Sequence, residues 1–352
     1  MHRRAFLFAL VAVGGCGKKD APGDALTRSR IRSPPKEQST GAASQKKAPR
    51  VAILVYGIQG VAAATAPSPA PALIRKRLAE LGYVEGKTIE FDERYANGDP
   101  ERLTQLAREI VASYPDVIVS LPAAATAAAR RETSTIPIVM VHAGDPVGAG
   151  FAKSLSHPGG NVTGTTSMTP DLGVKQVELL RELIPGLSKL GVLANPTNPG
   201  SPALLANINE AARRFNISVL VAEVTRSDDF DKALELLRAS RPDAVLVMIE
   251  PMIYLNRARV LDFVTGDRLP ASFDIGREIV RQGGLMSYGP VLTPHYAVVA
   301  EYVDLILKGA NPGDLPIQQP TEFALVINLA TARTLGLKVP QSLLTRADEI
   351  IQ

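Results

Sequence analysis

From residue 51 onward, short apolar runs alternate with segments whose apolar residues recur at helical spacing. This pattern predicts strands over 51–56, 88–95, 117–120 and 138–141, separated by helices over 70–81 and 101–113. Strands that alternate with helices in this way form a parallel sheet with helices on both faces.

The alternation begins again near residue 190 and predicts a second unit of the same kind. Its strands are expected over 190–194, 219–224, 244–249 and 270–273, with helices over 204–214, 230–239 and 257–264. Further on, the pattern predicts a strand over 284–288, a helix over 294–308, an extended segment over 315–322 and a helix over 327–335.

We therefore predict an α/β fold of two doubly wound parallel-sheet lobes joined by a three-strand hinge. Lobe 1 is expected to hold residues 51–163 and 276–311, and lobe 2 residues 164–275 and 312–350. In this arrangement the chain crosses between the lobes three times.

Residues 1–16 have the pattern of a lipoprotein-type signal peptide. A basic start is followed by an apolar stretch over 5–15, which is too short to span a bilayer. Small residues precede Cys16, which favours cleavage before this cysteine and its lipidation. A simple secretory signal is the alternative, and the pair Arg3 and Arg4 leaves both the general and the twin-arginine export routes open.

The formal charge of +4 comes from the N-terminal 50 residues, which hold 11 Lys and Arg against 3 Asp and Glu. Residues 17–50 show no apolar period and are predicted to be a disordered tether. The rest of the chain is net acidic, so nucleic-acid binding is not expected.

Enzyme and metal-site patterns are weak in this chain. The single cysteine excludes an internal disulfide, and the four histidines lack metal-binding spacing, so we expect no metal and no cofactor. Dinucleotide and phosphate-loop motifs are absent from the sequence. His142 lies one helical turn from Asp145 in the sequence and could form a dyad with it. Because no nucleophile is in register, a structural or ligand-lining role is favoured for His142. No catalytic residue is predicted. His157 and His295 are expected to face solvent.

Four predicted strand ends are followed by a proline: Leu121-Pro122, Asp145-Pro146, Asn195-Pro196 and Glu250-Pro251. Proline is tolerated at the first helical position, so each pair predicts a helix whose N–H groups point into a cleft. Parallel sheets bind ligands beyond these strand ends. Plain helix capping is the alternative for each residue, and Tyr56 is equally a candidate for the core. The candidate ligand-binding residues are Tyr56, Leu121, Ala123, Ala124, Asp145, Asn195, Glu250 and Asp274.

Several longer runs together resemble one known family, the ABC transporter substrate-binding proteins of the tryptophan/tyrosine type, which have the type I periplasmic-binding fold. The matching runs include residues 81–86, 144–147, 157–164, 195–199 and 283–290, and the most specific of them are the runs over 158–164 and 284–289. The resemblance spans about residues 51–350, but the chain departs from the family pattern over 61–69. Because that loop borders the cleft, aromatic specificity is not carried over from the resemblance.

The resemblance implies a Venus-flytrap protein that binds a solute between its lobes and catalyses nothing. The loop 121–126 and Asp145 would contact the ligand from lobe 1, and Asn195, Glu250 and Asp274 from lobe 2. We expect a small zwitterionic or anionic solute, such as an amino acid. The expected partners are an ABC permease and its ATPase. The protein itself is expected to be a periplasmic monomer that is anchored to the membrane by a lipid on Cys16. A ligand sensor coupled to a membrane kinase and an exported enzyme are the alternatives.

Overall fold

The computed structural model describes residues 47–57, 70–167 and 172–352. The predicted signal peptide, Cys16, most of the predicted tether and the loop 61–69 lie outside the described residues. Among the helices of the described segments, none has both the length and the apolar character needed to cross a bilayer.

A five-stranded sheet forms the first lobe, with all neighbouring strands parallel and in the order β2-β1-β3-β4-β5. Because β1 is not at an edge, its neighbours lie on both sides and the connecting helices cover both faces. The strands are β1 (Arg50–Val55), β2 (Glu90–Tyr95), β3 (Val117–Leu121), β4 (Ile138–Ala143) and β5 (Val162–Thr166). The helices are α1 (Ala70–Glu80), α2 (Pro100–Ala112) and α3 (Ala123–Glu132).

A seven-stranded sheet forms the second lobe, in the order β12-β11-β10-β9-β8-β6-β7. Its strands are β6 (Lys189–Ala194), β7 (Ser218–Glu223), β8 (Ala244–Val247), β9 (Ala271–Phe273), β10 (Met286–Pro290), β11 (Phe323–Asn328) and β12 (Glu349–Ile351). All pairs are parallel except β10 with β11. The helices of this lobe are α4 (Leu172–Leu183), α5 (Ser201–Arg214), α6 (Phe230–Ser240), α7 (Pro251–Leu255), α8 (Arg257–Gly266), α9 (Arg277–Arg281), α11 (Leu329–Thr334) and α12 (Gln341–Arg346).

Each sheet has an apolar core on both faces, which explains the continuous apolar runs of its strands. In β1, Ala52 and Leu54 pack against α2 and α3, whereas Val51 and Ile53 pack on the opposite face. The second sheet repeats the arrangement, because alternate residues of β8 contribute to two separate clusters. The predicted fold of two parallel-sheet lobes is thus confirmed.

The chain crosses between the lobes three times, as predicted. The crossings follow β5, follow β10 and precede β11. They are joined by backbone hydrogen bonds: Val291 donates to the carbonyl of Glu322 at 2.9 Å, and Thr166 donates to that of Gln318 at 2.9 Å. These bonds tie the three segments into one hinge.

One predicted boundary between the lobes differs from the structure. The strand predicted over 284–288 was expected in lobe 1, but β10 pairs with β9 and β11 in the second sheet. The return to the first lobe therefore comes with α10 (Thr293–Leu307), which packs against α1 and β4. The apolar residues of a strand show that it is buried in a sheet, but they do not show which sheet supplies its neighbouring strands.

The C-terminal segments also differ from the prediction. Ile317 packs in the core of the first lobe, and Gln318 forms a bridge with Thr165, so the extended segment over 315–322 begins in that lobe. The helix predicted over 327–335 begins at Leu329, because residues 323–328 form β11.

Two adjacent leucines on α6 allow a matched test of the second core. Leu237 is 0% exposed and its Cδ2 packs against Gly191, whereas Leu236 is 45% exposed. We expect Leu237→Ala to lower the free energy of unfolding by about 2–5 kcal/mol, the usual cost of a buried leucine. Leu236→Ala should change it by less than about 0.5 kcal/mol. Urea unfolding followed by circular dichroism measures both, and equal midpoints for the two variants would contradict the described packing.

Candidate functional site

A cavity of about 390 Å³ lies between the two lobes at the carboxyl ends of their strands. Its volume falls in the range of small-molecule sites, roughly 300–1,000 Å³. The first lobe and the segment leading into α10 supply Val55, Gly57, Leu121, Pro122, Ala123, Val141, His142, Gly144, Leu292 and Tyr296. The first crossing and the second lobe supply Ser167, Leu172, Asn198, Gly200, Ser201, Leu204, Met248, Ile249, Glu250, Pro251, Tyr254, Leu255, Asp274 and Ile275.

Apolar side chains make up most of the cavity wall, and two tyrosines add aromatic surface. Tyr254 lies on α7, where the guanidinium of Arg257 stacks 4.5 Å from the centre of its ring. Tyr296 lies on α10 and packs against the imidazole of His142 with 5.1 Å between ring centres. Among the described residues that line the cavity, none is lysine or arginine.

Three helices begin at the cavity without a side-chain cap. The residues before α3, α5 and α10 are Pro122, Gly200 and Leu292, and none of them caps its helix through a side-chain hydrogen bond. The first N–H groups of a helix have no partner within the helix, and the helix dipole makes this end positive. Anionic groups are therefore favoured on this part of the wall.

Glu250 is one of two carboxyl groups that face the cavity from the second lobe. Its side chain is 6% exposed, and Oε1 accepts a hydrogen bond of 2.9 Å from the backbone N–H of Ile253. Glu250 thus caps α7, which was the alternative interpretation of this residue, and Pro251 occupies the first helical position. Burial raises the pKa of Glu250, and the hydrogen bonds from the backbone of α7 and from the amide of Asn195 oppose this rise.

Asp274 is the second carboxyl group, just after β9. It is 6% exposed, and its Oδ1 accepts a hydrogen bond of 2.7 Å from the backbone N–H of Ile249. Burial raises the pKa of Asp274 from 3.8 to about 7. The same wall therefore carries two desolvated carboxyl groups, and a cationic ligand group would stabilise their charged forms.

Four of the eight predicted site residues line the cavity, namely Leu121, Ala123, Glu250 and Asp274. Tyr56 lies in the core of the first lobe outside this lining. Burial raises the pKa of Tyr56 to about 12, and the negative charge of Glu250 adds to this rise. Ala124 follows Ala123 on α3 and does not line the cavity either.

Asp145 and Asn195 stabilise turns beside the cavity. The carboxylate of Asp145 accepts hydrogen bonds from the backbone N–H groups of Val147 at 3.2 Å and Gly148 at 2.9 Å. The Oδ1 of Asn195 accepts from the backbone N–H of Thr197 at 3.0 Å and from its hydroxyl at 2.7 Å. The helices predicted directly after these two residues are absent from the described structure, because each side chain closes a turn instead.

His142 does not pair with Asp145 in the described contacts. Its imidazole hydrogen-bonds to the backbone carbonyl of Leu292, and burial followed by the charge of His295 lowers the pKa of His142 to about 3. The ring is therefore neutral at ordinary pH. The prediction that His295 faces solvent is wrong, since it is buried on α10 beside His142, with 5.4 Å between the ring centres.

Sequence reasoning missed several wall residues. Tyr254 lies on α7 four positions after Glu250, the residue before this helix, so a helix predicted to begin at Glu250-Pro251 could have indicated it. Leu204 and Met248 carry no such signal, because an apolar wall residue has the same sequence pattern as a core residue. Gly144 and Gly200 line the cavity as parts of turns.

Two α/β lobes, three chain crossings and a cavity between the strand ends define a two-lobed solute-binding protein of the type I periplasmic-binding class. Residues 72–351 match the family model described as ABC transporter substrate binding protein. The chain belongs to this family, whose members bind solutes outside the cytoplasm for ABC transporters.

Three similar proteins extend the comparison. A tyrosine-binding protein of Clostridioides difficile is 28% identical over 266 residues, which cover 75% of each chain. The crystal structure of a conserved domain protein from Vibrio cholerae is 30% identical, with a TM-score of 0.78 over 86% of this chain and 100% of that chain. The structure of an ABC domain from Streptococcus pneumoniae in complex with L-Trp is 25% identical, with a TM-score of 0.79 and the same two coverages.

The raised pKa of Asp274 predicts a specific dependence of stability on pH. Between its ordinary pKa of 3.8 and its folded pKa of about 7, the folded chain holds a proton that the unfolded chain releases. The contribution of protonated Asp274 to stability is therefore fully present below pH 3.8, and it is lost as the pH rises through about 7. We expect the free energy of unfolding of the parent, minus that of Asp274→Asn, to fall as the pH rises from 3.8 to about 7.

The measurement is urea unfolding of both proteins, without ligand, at several pH values from acid to neutral. Asp231→Asn is the matched control, because the side chain of Asp231 is 90% exposed. Parallel profiles for the parent and Asp274→Asn would contradict the described burial of this carboxyl group.

Proposed function

We propose that this protein binds a small zwitterionic solute of the amino-acid type between its lobes and delivers it to an ABC permease. The observation that carries the proposal is the opposition of charge within one cavity. Buried Glu250 and Asp274 lie on the wall of the second lobe, and uncapped helix N-termini from both lobes border the same space. A zwitterion carries the two complementary charges on a single small molecule.

The ammonium group of the solute is assigned to the two carboxyl groups. Burial raises the pKa of both groups, and no lysine or arginine lines the described wall to compensate their charge. A ligand ammonium at this wall forms charge-assisted hydrogen bonds, each worth about 1.5–3 kcal/mol.

The carboxylate of the solute is assigned to the helix N-termini around Ala123 and Ser201. Since these helices start in opposite lobes, a carboxylate between them is held from both sides. Closure is favoured only by a ligand that contacts both lobes, because the closed form must bind it better than the open form.

The side chain of the solute is assigned to the apolar part of the wall. Tyr254, Tyr296 and the neighbouring aliphatic side chains suit a large apolar or aromatic group. The names of two similar proteins, a tyrosine-binding protein and a complex with L-Trp, support an aromatic amino acid as the first candidate.

We also propose that binding is the whole activity, without catalysis. The neutral imidazole of His142 is committed to the carbonyl of Leu292, and the carboxylate of Asp145 closes its own turn. The two residues of the alternative catalytic dyad therefore have other partners in the described structure.

A binding screen with charge variants tests this proposal. The panel consists of the L-amino acids together with tryptamine and indole-3-propionate, which lack the carboxylate and the ammonium group of tryptophan respectively. Thermal-shift hits are followed by calorimetry. We expect a zwitterion to bind and each analogue to bind more weakly. A panel without any hit at millimolar concentration would contradict the proposal.

Glu250→Gln tests the ammonium site. Glutamine keeps an oxygen that can accept from the N–H of Ile253 but loses the charge. We expect affinity to fall by about 10- to 100-fold, since a hydrogen bond to a charged group contributes about 1.5–3 kcal/mol and about 1.4 kcal/mol is tenfold. Glu235→Gln on α6, which loses a carboxylate that is 64% exposed, is the matched control. Unchanged affinity in Glu250→Gln would place the ammonium elsewhere.

We propose further that the protein is a monomeric lipoprotein anchored outside the cytoplasm through Cys16, with residues 17–50 as the tether. Small residues before the sole cysteine support this proposal. We expect Cys16→Ala to lose covalently attached fatty acid, measured by metabolic labelling with a radioactive fatty acid and immunoprecipitation. Labelled fatty acid on the variant, or none on the parent, would contradict a lipid anchor at this position.

A further inference from the structure

Two glycines from opposite lobes meet backbone to backbone beside the cavity. Gly144 follows β4 in the first lobe, and Gly200 precedes α5 in the second. A Cβ added at Gly144 would lie 2.3 Å from the Cα of Gly200, and one added at Gly200 would lie 2.8 Å from the Cα of Gly144. Since Cβ atoms do not approach backbone atoms so closely, this contact requires glycine at both positions.

The backbone conformation by itself does not require these glycines. Gly200 has φ −83° and ψ −17°, which any residue adopts, and Gly144 is not among the described glycines with positive φ. The three nearest atoms to a Cβ at either position all belong to the opposite lobe. A methyl group here would therefore act on the contact between the lobes and not on the turn that holds it.

Hydrogen bonds within each turn hold the two glycines towards each other. On the first lobe, Asp145 closes the turn after Gly144 through the N–H groups of Val147 and Gly148, and the hydroxyl of Thr166 donates to the carbonyl of Gly144. On the second lobe, the Oδ1 of Asn198 accepts from the N–H of Gly200 at 3.3 Å, and its carbonyl accepts from Ser201 at 2.9 Å.

A second contact between the lobes involves another glycine. A Cβ at Gly98, between β2 and α2, would lie 2.8 Å from Cδ1 of Leu255 at the end of α7. Leu255 is a flexible side chain and can move, whereas the backbone of Gly200 cannot withdraw without shifting its turn. The contact between Gly144 and Gly200 is therefore the stricter limit on how closely the lobes approach.

We propose that Gly144 and Gly200 form a closure contact, which sets the distance between the lobes in the closed state and permits tight retention of the solute. The proposal rests on the proposed binding function. Opening at the three crossings separates the two glycines, so a methyl group at either position penalises only the closed state. Apparent affinity falls in proportion to the population of the closed state.

Gly144→Ala and Gly200→Ala test the closure contact. The controls are Gly160→Ala in the first lobe and Gly186→Ala in the second, where a Cβ would meet no atom within 4 Å and φ is not positive. Calorimetry with L-tyrosine and L-tryptophan measures affinity, and small-angle X-ray scattering with saturating ligand measures compaction. Melting without ligand shows whether each variant is folded.

We expect both closure variants to bind at least tenfold more weakly than the parent and to stay extended at saturation, with unchanged melting in the ligand-free state. The controls should bind within twofold of the parent and become compact.

Closure variants that bind and become compact as the parent does would overturn the closure contact alone. Variants that bind more weakly but become fully compact would also overturn the closure contact, because this result would indicate only a local clash between the methyl group and the ligand. A parent protein that binds neither L-tyrosine nor L-tryptophan would overturn the closure contact together with the proposal of an aromatic ligand. The proposed binding of an amino acid is decided separately, by the screen of the whole panel.

Discussion

The three chain crossings between the lobes hold the two sheets so that their strand ends border one cavity. Each sheet alone would be an ordinary α/β unit with its strand ends open to solvent. The hydrogen bonds from Val291 to Glu322 and from Thr166 to Gln318 join the crossings and keep the two sets of strand ends opposite each other. Because of this arrangement, α3 and α10 from one side and α5 from the other begin at the same cavity.

Electrostatics explains why such a cavity selects a ligand. Burying a carboxyl group is costly unless hydrogen bonds or a cation compensate its charge. Glu250 and Asp274 receive backbone hydrogen bonds, yet burial still raises both pKa values, so their compensation within the protein is incomplete. In the proposed binding mode, a solute that supplies a cation there and an anion at the helix N-termini would complete this compensation. It would stabilise the closed form because it contacts α3 of the first lobe together with α5, Glu250 and Asp274 of the second.

Local pattern was sufficient to predict the elements and part of the site. The apolar run of β1 indicated a strand covered on both faces, and Glu250-Pro251 indicated a capped helix at a strand end, because both signals arise from neighbouring residues. The sheet that receives β10 could not be predicted, since Met286 pairs with Ser272 through a contact that the local sequence does not encode. Asp145 and Asn195 were expected before helices because the same side chains cap helices and close turns. The approach of Gly144 to Gly200 depends on the relative position of the two lobes, which no local pattern contains.

The most direct test of this account is a crystal structure of the protein grown with the amino acid that binds it most tightly. We expect electron density for one molecule between the lobes, with its ammonium at Glu250 and Asp274 and its carboxylate beside the first turns of α3 and α5. A solute bound to one lobe only, or bound outside this cavity, would contradict it.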